Sequence, residues 1–228
     1  MNHYLQEGVR HFYLIDNGST DNYRPVLEPY ITAGIVTLWI DGIRHAQVAL
    51  YNKYMMPLMH QTTWLIVCDL DEFFYGQTTV AEDVIKLAGD VPNLGAVCVS
   101  WKMFGSSGHV TQPSSVVQSF TKRRRAYMPA CGKGHGKCIV RTQAVQSIGI
   151  HGSSLTQGYF TCYDTAHLGP IQLNHYRIQS YNWFRDIKMT RGAADHAASE
   201  NVRTAEYFQL CDKNELDDTE LKDKRRRQ

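Results

Sequence analysis

The chain has 228 residues, a net charge of +2, 43% hydrophobic and 11% aromatic residues, a balance that suits one globular domain with a sizeable core. So small a net charge does not demand a nucleic-acid partner. No apolar run approaches the roughly 18 residues of a membrane span, and Met1 to Val9, with Glu7 among polar residues, does not read as a signal peptide.

In chain order, Asn2 to Gly8 has the pattern of a short helix, and His11 to Ile15 reads as a short apolar strand. That strand ends in Asp16-Asn17-Gly18-Ser19-Thr20-Asp21, a polar turn able to open a helix. Ile35 to Ile40 reads as a second strand, and Ile43 to Met56 as a helix stopped near Pro57. Trp64 to Cys68 is almost continuously apolar, the pattern of a strand buried on both faces. Thr79 with Glu82 forms a capping box that opens a helix through Leu87, and Gly95 to Trp101 is the next strand. This alternation predicts an α/β fold with a mostly parallel sheet flanked by helices. Residues 105–136, rich in Gly, Ser and Pro, read as loops. Strands return at Cys138 to Arg141 and Ile171 to Tyr176, and helices at Tyr181 to Ala194 and Val202 to Leu210. With no repeat and no linker, the expectation is a single domain over 1–228.

Two basic runs, Lys122 to Arg125 and Lys224 to Arg227, hold eight of the 24 Lys and Arg residues and read as a solvated loop and a frayed tail. Cys68 and Cys98 lie in apolar runs and read as small buried hydrophobes. Cys131 to Cys138 lacks the spacing and second pair of a zinc site, and nothing in the cysteine pattern forces an oxidising compartment.

The strongest local signal is Trp64-Leu-Ile-Val-Cys-Asp69-Leu-Asp71-Glu72-Phe73-Phe74. A buried strand ending in closely spaced carboxylates sets them at the carboxyl edge of the sheet, where open α/β sheets bind ligands. Hard oxygen donors suit Mg²⁺ or Mn²⁺, which bridge phosphates and neutralise a leaving diphosphate. Tyr13 to Asp21 brings a second polar turn to the same edge.

Together with Gly8 to Asp21, the Asp69-Leu-Asp71-Glu72-Phe73 segment resembles the family-2-like glycosyltransferases, and more closely glycosyltransferase family 92. The likeness continues through Trp101 to His109, Lys137 to Arg141, Ile150-His151, Asn174 to Ser180, Trp183-Phe184 and Lys188 to Gly192, covering roughly residues 5–195 in order. The resemblance implies a GT-A fold, a nucleotide-diphosphate sugar donor, a glycan acceptor, a divalent cation (Mn²⁺ or Mg²⁺) and inversion at the anomeric carbon. It divides the domain into a nucleotide-sugar-binding half (1–100), an acceptor and metal half (101–195) and C-terminal helices with a basic tail (196–228). In such folds a strand precedes the helix of residues 2–8. Its place here would fall before Met1.

The resemblance also implies roles. Asp16 and Asn17 would face the nucleotide, Asp69 the ribose or sugar and the metal, and Asp71 the metal. His175 would be a third metal ligand, with His151 as its rival. Lys188 and Arg191, one helical turn apart, would hold the diphosphate. Trp101, Phe104 and His109 would border the acceptor. The general base is not identified, and Glu72 and Asp164 are the two candidates. The chain is expected to be soluble and cytoplasmic, or Golgi-lumenal or membrane-associated as part of an anchored parent. Two other readings share the paired aspartates: a Mg²⁺-dependent nucleotidyltransferase, and a non-catalytic domain that binds nucleotide or glycan.

Overall fold

The computed structural model describes residues 1–127, 136–163, 169–190 and 203–227. It is a mixed α/β fold. After helix α1 (Asn2–Gln6), strands β1 (Phe12–Asp16) and β2 (Val36–Ile40) pair in parallel as a separate two-stranded sheet, joined by α2 (Arg24–Thr32). Helix α3 (Gln47–Met55) starts later than the sequence suggested, since residues 41–46 remain irregular. The main sheet contains β3 (Trp64–Ile66), β4 (Glu72–Gly76), β5 (Leu94–Met103), β7 (Gly136–Arg141), β10 (Phe160–Tyr163) and β11 (Ile171–His175). The short helix α5 (Val116–Ser119) and a two-residue strand, β6 (Lys122–Arg123), precede β7; β8 (Val145–Ser147) and β9 (Ser154–Leu155) pair antiparallel after it, and α6 (Tyr181–Trp183) follows β11.

The expected mostly parallel sheet is corrected. The order is β3-β7-β5-β11-β4, with β10 also on β5, and the pairings β3–β7, β5–β7 and β4–β11 are antiparallel. Only β10 and β11 run parallel to β5. A capped helix, α4 (Val80–Asp90), does precede β5, as the Thr79–Glu82 box predicted. From β5 onward, however, no long crossover helix links the strands among the described residues, so nothing there obliges them to run parallel.

Strand β5 is buried from Leu94 to Lys102, which explains its continuous apolar run. On one face Val97, Val99 and Trp101 pack with Phe74, Ile139, Ile171 and Leu173 under Val80 and Val84 of α4. On the other, Ala96, Cys98, Cys138 and Val140 pack against Met55, Val145 and Ile148. Five residues separate β3 from β4, yet these strands occupy opposite ends of the sheet order. Four strand spacings amount to about 19 Å, and the link is shortened by a turn in which Glu72 N donates to Asp69 O at 3.1 Å. The sheet therefore curls, and the Asp69–Asp71 segment passes over the edge where β5 and β11 end and β7 begins.

The Cys98 expectation is also corrected. Cys98 and Cys138 face each other across β5 and β7 and form a buried disulfide. A cross-link between residues 40 apart restricts the unfolded chain by about 4 kcal/mol on the chain-entropy relation. Urea melts of oxidised protein should show Cys98→Ala/Cys138→Ala less stable by about 2–4 kcal/mol. Equal midpoints for the two proteins would remove the bond from the account of stability.

The basic tail is not frayed. After α7 (Ala205–Cys211), the chain makes β12 (Leu216–Asp217) on β6 and then α8 (Glu220–Arg226), which lies against α1 and β4. Glu7 is fully buried, and its carboxylate meets Lys224 Nζ at 2.9 Å and an Arg225 guanidinium nitrogen at 2.7 Å. It also accepts from the Gly76 and Val80 amides. Gly8 ends α1 at φ +86°, and a Cβ there would lie 2.7 Å from Ala81 Cβ, so the helix end presses directly on α4. The other basic run is half-solvated: Lys122 is exposed, but Arg123 is buried and bonds Asp218 at 2.6 Å.

His3 belongs to the same junction. Its Nδ1 lies 2.8 Å from the Arg225 guanidinium and its Nε2 2.6 Å from Phe74 O, which fits the neutral ring alone. Burial first, then the Arg225 charge, lowers its pKa from 6.5 to about 3. The unfolded chain binds this proton more readily, so His3 makes stability fall as pH drops from about 6.5 towards 3. His3→Gln should flatten that part of the stability profile in urea melts run at pH 7, 6, 5 and 4. An unchanged slope would assign the acid sensitivity elsewhere.

Candidate active site

The site follows from the curl. Four strands deliver side chains to the edge that residues 67–71 cross: Glu72 opens β4, Trp101 lies near the end of β5, Lys137 near the start of β7, and His175 closes β11. Register brings them together, since His175 is opposite Glu72 and Met103, and Lys137 is opposite Val99.

Asp71 is the most constrained of the carboxylates. Its Oδ2 takes Lys188 Nζ at 2.7 Å, its Oδ1 lies 3.5 Å from His175 Nε2, and its backbone oxygen accepts from Tyr176 N. Burial pushes its pKa up, but His175 and Lys188 outweigh that and hold it well below the usual carboxylate range. Asp69 is the open one, with a side chain 43% exposed. Its Oδ2 lies 3.2 Å from Lys137 Nζ, and Gln47 Nε2 approaches Oδ1 at 3.5 Å.

Glu72 sits behind both. It is 1% exposed, accepts from Trp101 Nε1 and from the Asp69 amide at 2.8 Å each, and lies 3.6 Å from Lys137 Nζ. Burial raises its pKa to about 7, against the pull of His175 and Lys137. The Trp101 ring leans on His175 at 4.7 Å and meets His151 edge-on at 5.5 Å. His151 bonds Gly136 O through Nδ1 at 3.1 Å and packs against Trp101.

Lys188 reaches Asp71 from a helix that begins at Ser180, whose hydroxyl caps Trp183 N, and continues as a π-helical turn over Phe184–Lys188. The predicted helix over 181–194 is thus seen to Lys188. Arg191 and Asp164 lie outside the described residues.

The remaining expected residues fall elsewhere. Asp16 turns into its own loop, accepting from the Gly18 and Ser19 amides and from Tyr23 Oη. The Tyr23 hydroxyl, followed by the Ser19 amide, lowers its pKa to about 2. Asn17 beside it is exposed. Phe104 is 2% exposed in a separate cluster with Phe120 and Tyr176. His109 lies against Phe120 with Nε2 3.2 Å from Ser119 O. Trp101 is also largely buried, though it belongs to the carboxylate cluster.

For a divalent ion, the useful donors are Asp71 Oδ1 and His175 Nε2. Neighbouring ligands of an octahedral ion at 2.1 Å lie about 3 Å apart, and these two stand at 3.5 Å. One carboxylate and one imidazole are an acceptable donor pair for Mn²⁺, so the residues fit such an ion in part. Asp69 is turned towards Lys137, and the described residues contain no cluster of three ligating side chains. Two residues of the site were given no role from the sequence. Gln47 carries no signal beyond being polar on a half-buried helix. Lys137 did carry one: a lysine beginning the apolar strand Cys138-Ile-Val needs a buried partner.

A family model described as glycosyltransferase family 92 matches residues 1–209. A glycosyltransferase family 92 protein of Ricinus communis is 28% identical over 195 residues, which make up 81% of this chain and 33% of the relative. The chain thus spans about a third of the length of that relative.

Proposed function

Because the chain belongs to glycosyltransferase family 92, we propose that it moves a sugar from a nucleoside-diphosphate donor to a hydroxyl of a glycan acceptor, with a divalent cation, Mn²⁺ or Mg²⁺, held by Asp71 and His175. In this reading the bond from the anomeric carbon to the diphosphate oxygen breaks. A new bond forms to the acceptor oxygen from the opposite face, and the acceptor proton passes to a base. The cation, when bound, would supply positive charge to the departing diphosphate.

The observation that carries the reading is the convergence of Asp69, Asp71, His175 and Lys188 where the 67–71 segment crosses the ends of β5 and β11. Lys188 places an ammonium where leaving-group charge would build up, an electrostatic stabilisation of the kind that dominates such transfers. Asp69, open to solvent and already neutralised by Lys137, suits hydrogen bonds from donor hydroxyls. Glu72 is enclosed and bonded to Trp101, so we assign it a supporting place and leave the base to another group.

Calorimetry with a panel of nucleotide sugars, with and without Mn²⁺, tests the proposal. Mn²⁺-dependent binding of one donor, followed by release of nucleoside diphosphate when acceptor glycans are added, is expected. Release of pyrophosphate would point to a nucleotidyltransferase, and binding without turnover across the acceptor panel to a non-catalytic domain.

A further inference from the structure

Lys137 has no place in the reading above beyond its contact with Asp69. Its side chain is fully buried, with Nζ 3.2 Å from Asp69 Oδ2 and 3.6 Å from Glu72 Oε2. An ammonium withdrawn from water persists only where opposite charge compensates it closely. Here two carboxylates do so, from the crossing segment and from β4.

The two lysines of the site differ in kind. Lys188 is 12% exposed and extends from the end of a π-helical turn, so it can leave Asp71 by rotating its side chain. Lys137 extends from near the start of β7, next to the Cys98–Cys138 disulfide, and its side chain is fully buried between Asp69 and Glu72. Glu72 joins it to the rest of the site: the same carboxylate accepts from the Asp69 amide and from Trp101 Nε1, and Trp101 packs on His175.

We propose that Lys137 is a positioning residue, a permanent internal counter-ion that turns Asp69 away from the metal. A divalent ion on Asp69 would stand next to a buried ammonium held by two carboxylates, and like charges oppose that arrangement. Lys137 thereby makes the paired aspartates unequal. Asp69 keeps its free oxygen for hydroxyl groups, and the exchangeable cation is confined to Asp71 and His175. This rests on the metal-dependent reading of the site proposed above.

The test measures Mn²⁺ binding without nucleotide, by electron paramagnetic resonance, alongside steady-state transfer. Lys137→Met removes the charge at nearly constant length. Its Mn²⁺ affinity should rise about tenfold, a one-step gain in charge attraction, as Asp69 becomes a ligand. Its donor KM should rise more than kcat falls, because Asp69 is lost to the donor. Lys137→Arg should keep wild-type Mn²⁺ affinity. Should Lys137→Met not fold, Asp69→Asn with Lys137 retained answers the same question: Mn²⁺ affinity should be unchanged while donor KM rises. Loss of Mn²⁺ binding in Asp69→Asn, or no gain in a folded Lys137→Met, overturns the assignment. Absence of Mn²⁺ binding to the wild-type chain overturns the metal reading itself, and this inference with it.

Discussion

Replacing Lys224 and Arg225 together by alanine should lower the unfolding free energy by about 3–5 kcal/mol, the usual effect of leaving a buried charge without its partner. Glu7 is fully buried, and these are the two cations within ion-pair distance of it among the described residues. The Gly76 and Val80 amides would still bond the carboxylate, which moderates the loss without cancelling it. Urea unfolding of the double variant measures the effect. Glu7→Gln in that background should recover part of it, since an amide is far cheaper to bury than an unpaired carboxylate. A double variant as stable as wild type would return residues 224–227 to the status of a solvated tail. The matched family region ends at residue 209, so the two cations of this clasp lie beyond it.

If the chain transfers sugar as proposed, Asp71→Asn should reduce that transfer by about 10²–10³-fold, the range seen when one preorganised electrostatic group is removed, while the fold survives. The side chain lies at the mouth of the sheet and contributes to none of the apolar clusters. Its backbone contact to Tyr176 N is kept in the variant. Lys188 loses its anionic partner but stays close enough to solvent to be hydrated. Circular dichroism and melting temperature should therefore stay near wild type as activity falls. Lys188→Ala should lower the rate by roughly one to two orders of magnitude, as expected for a charge-assisted contact of about 1.5–3 kcal/mol. Wild-type turnover by Asp71→Asn would place the chemistry elsewhere on the molecule.

The sequence showed most of the elements because apolar pattern and caps are local. Phe12–Asp16, Val36–Ile40, Leu94–Met103 and Ile171–His175 all lie where alternation or apolar runs placed strands, and Thr79 caps α4 as its spacing required. The Asp69 and Asp71 turn stood out because an apolar run stops there in carboxylates, although the run is not the strand buried on both faces that was expected: β3 (Trp64–Ile66) is short, half-buried and at the end of the sheet order. Neighbour relations were not visible. Nothing near Cys98 reveals that Cys138 will face it, because that depends on β7 running antiparallel to β5. Nothing near Lys224 points to Glu7, 217 residues away. The same limit hid the partners of Lys137. A lysine in an apolar strand announces that it must be paired, and only the curl of the sheet says with what.

The two-stranded sheet of β1 and β2 stands apart from these tightly held elements. Its residues are mostly half-buried, α2 beside it buries none of its side chains, and it shares no strand with the main sheet. Two strands are marginal in water, and only one face of this pair is tied to the core, through Tyr13, Ile15 and Trp39, so it should open locally at lower free energy than the main sheet. In deuterium labelling, the amides of 12–16 and 36–40 would exchange well before those of 94–103.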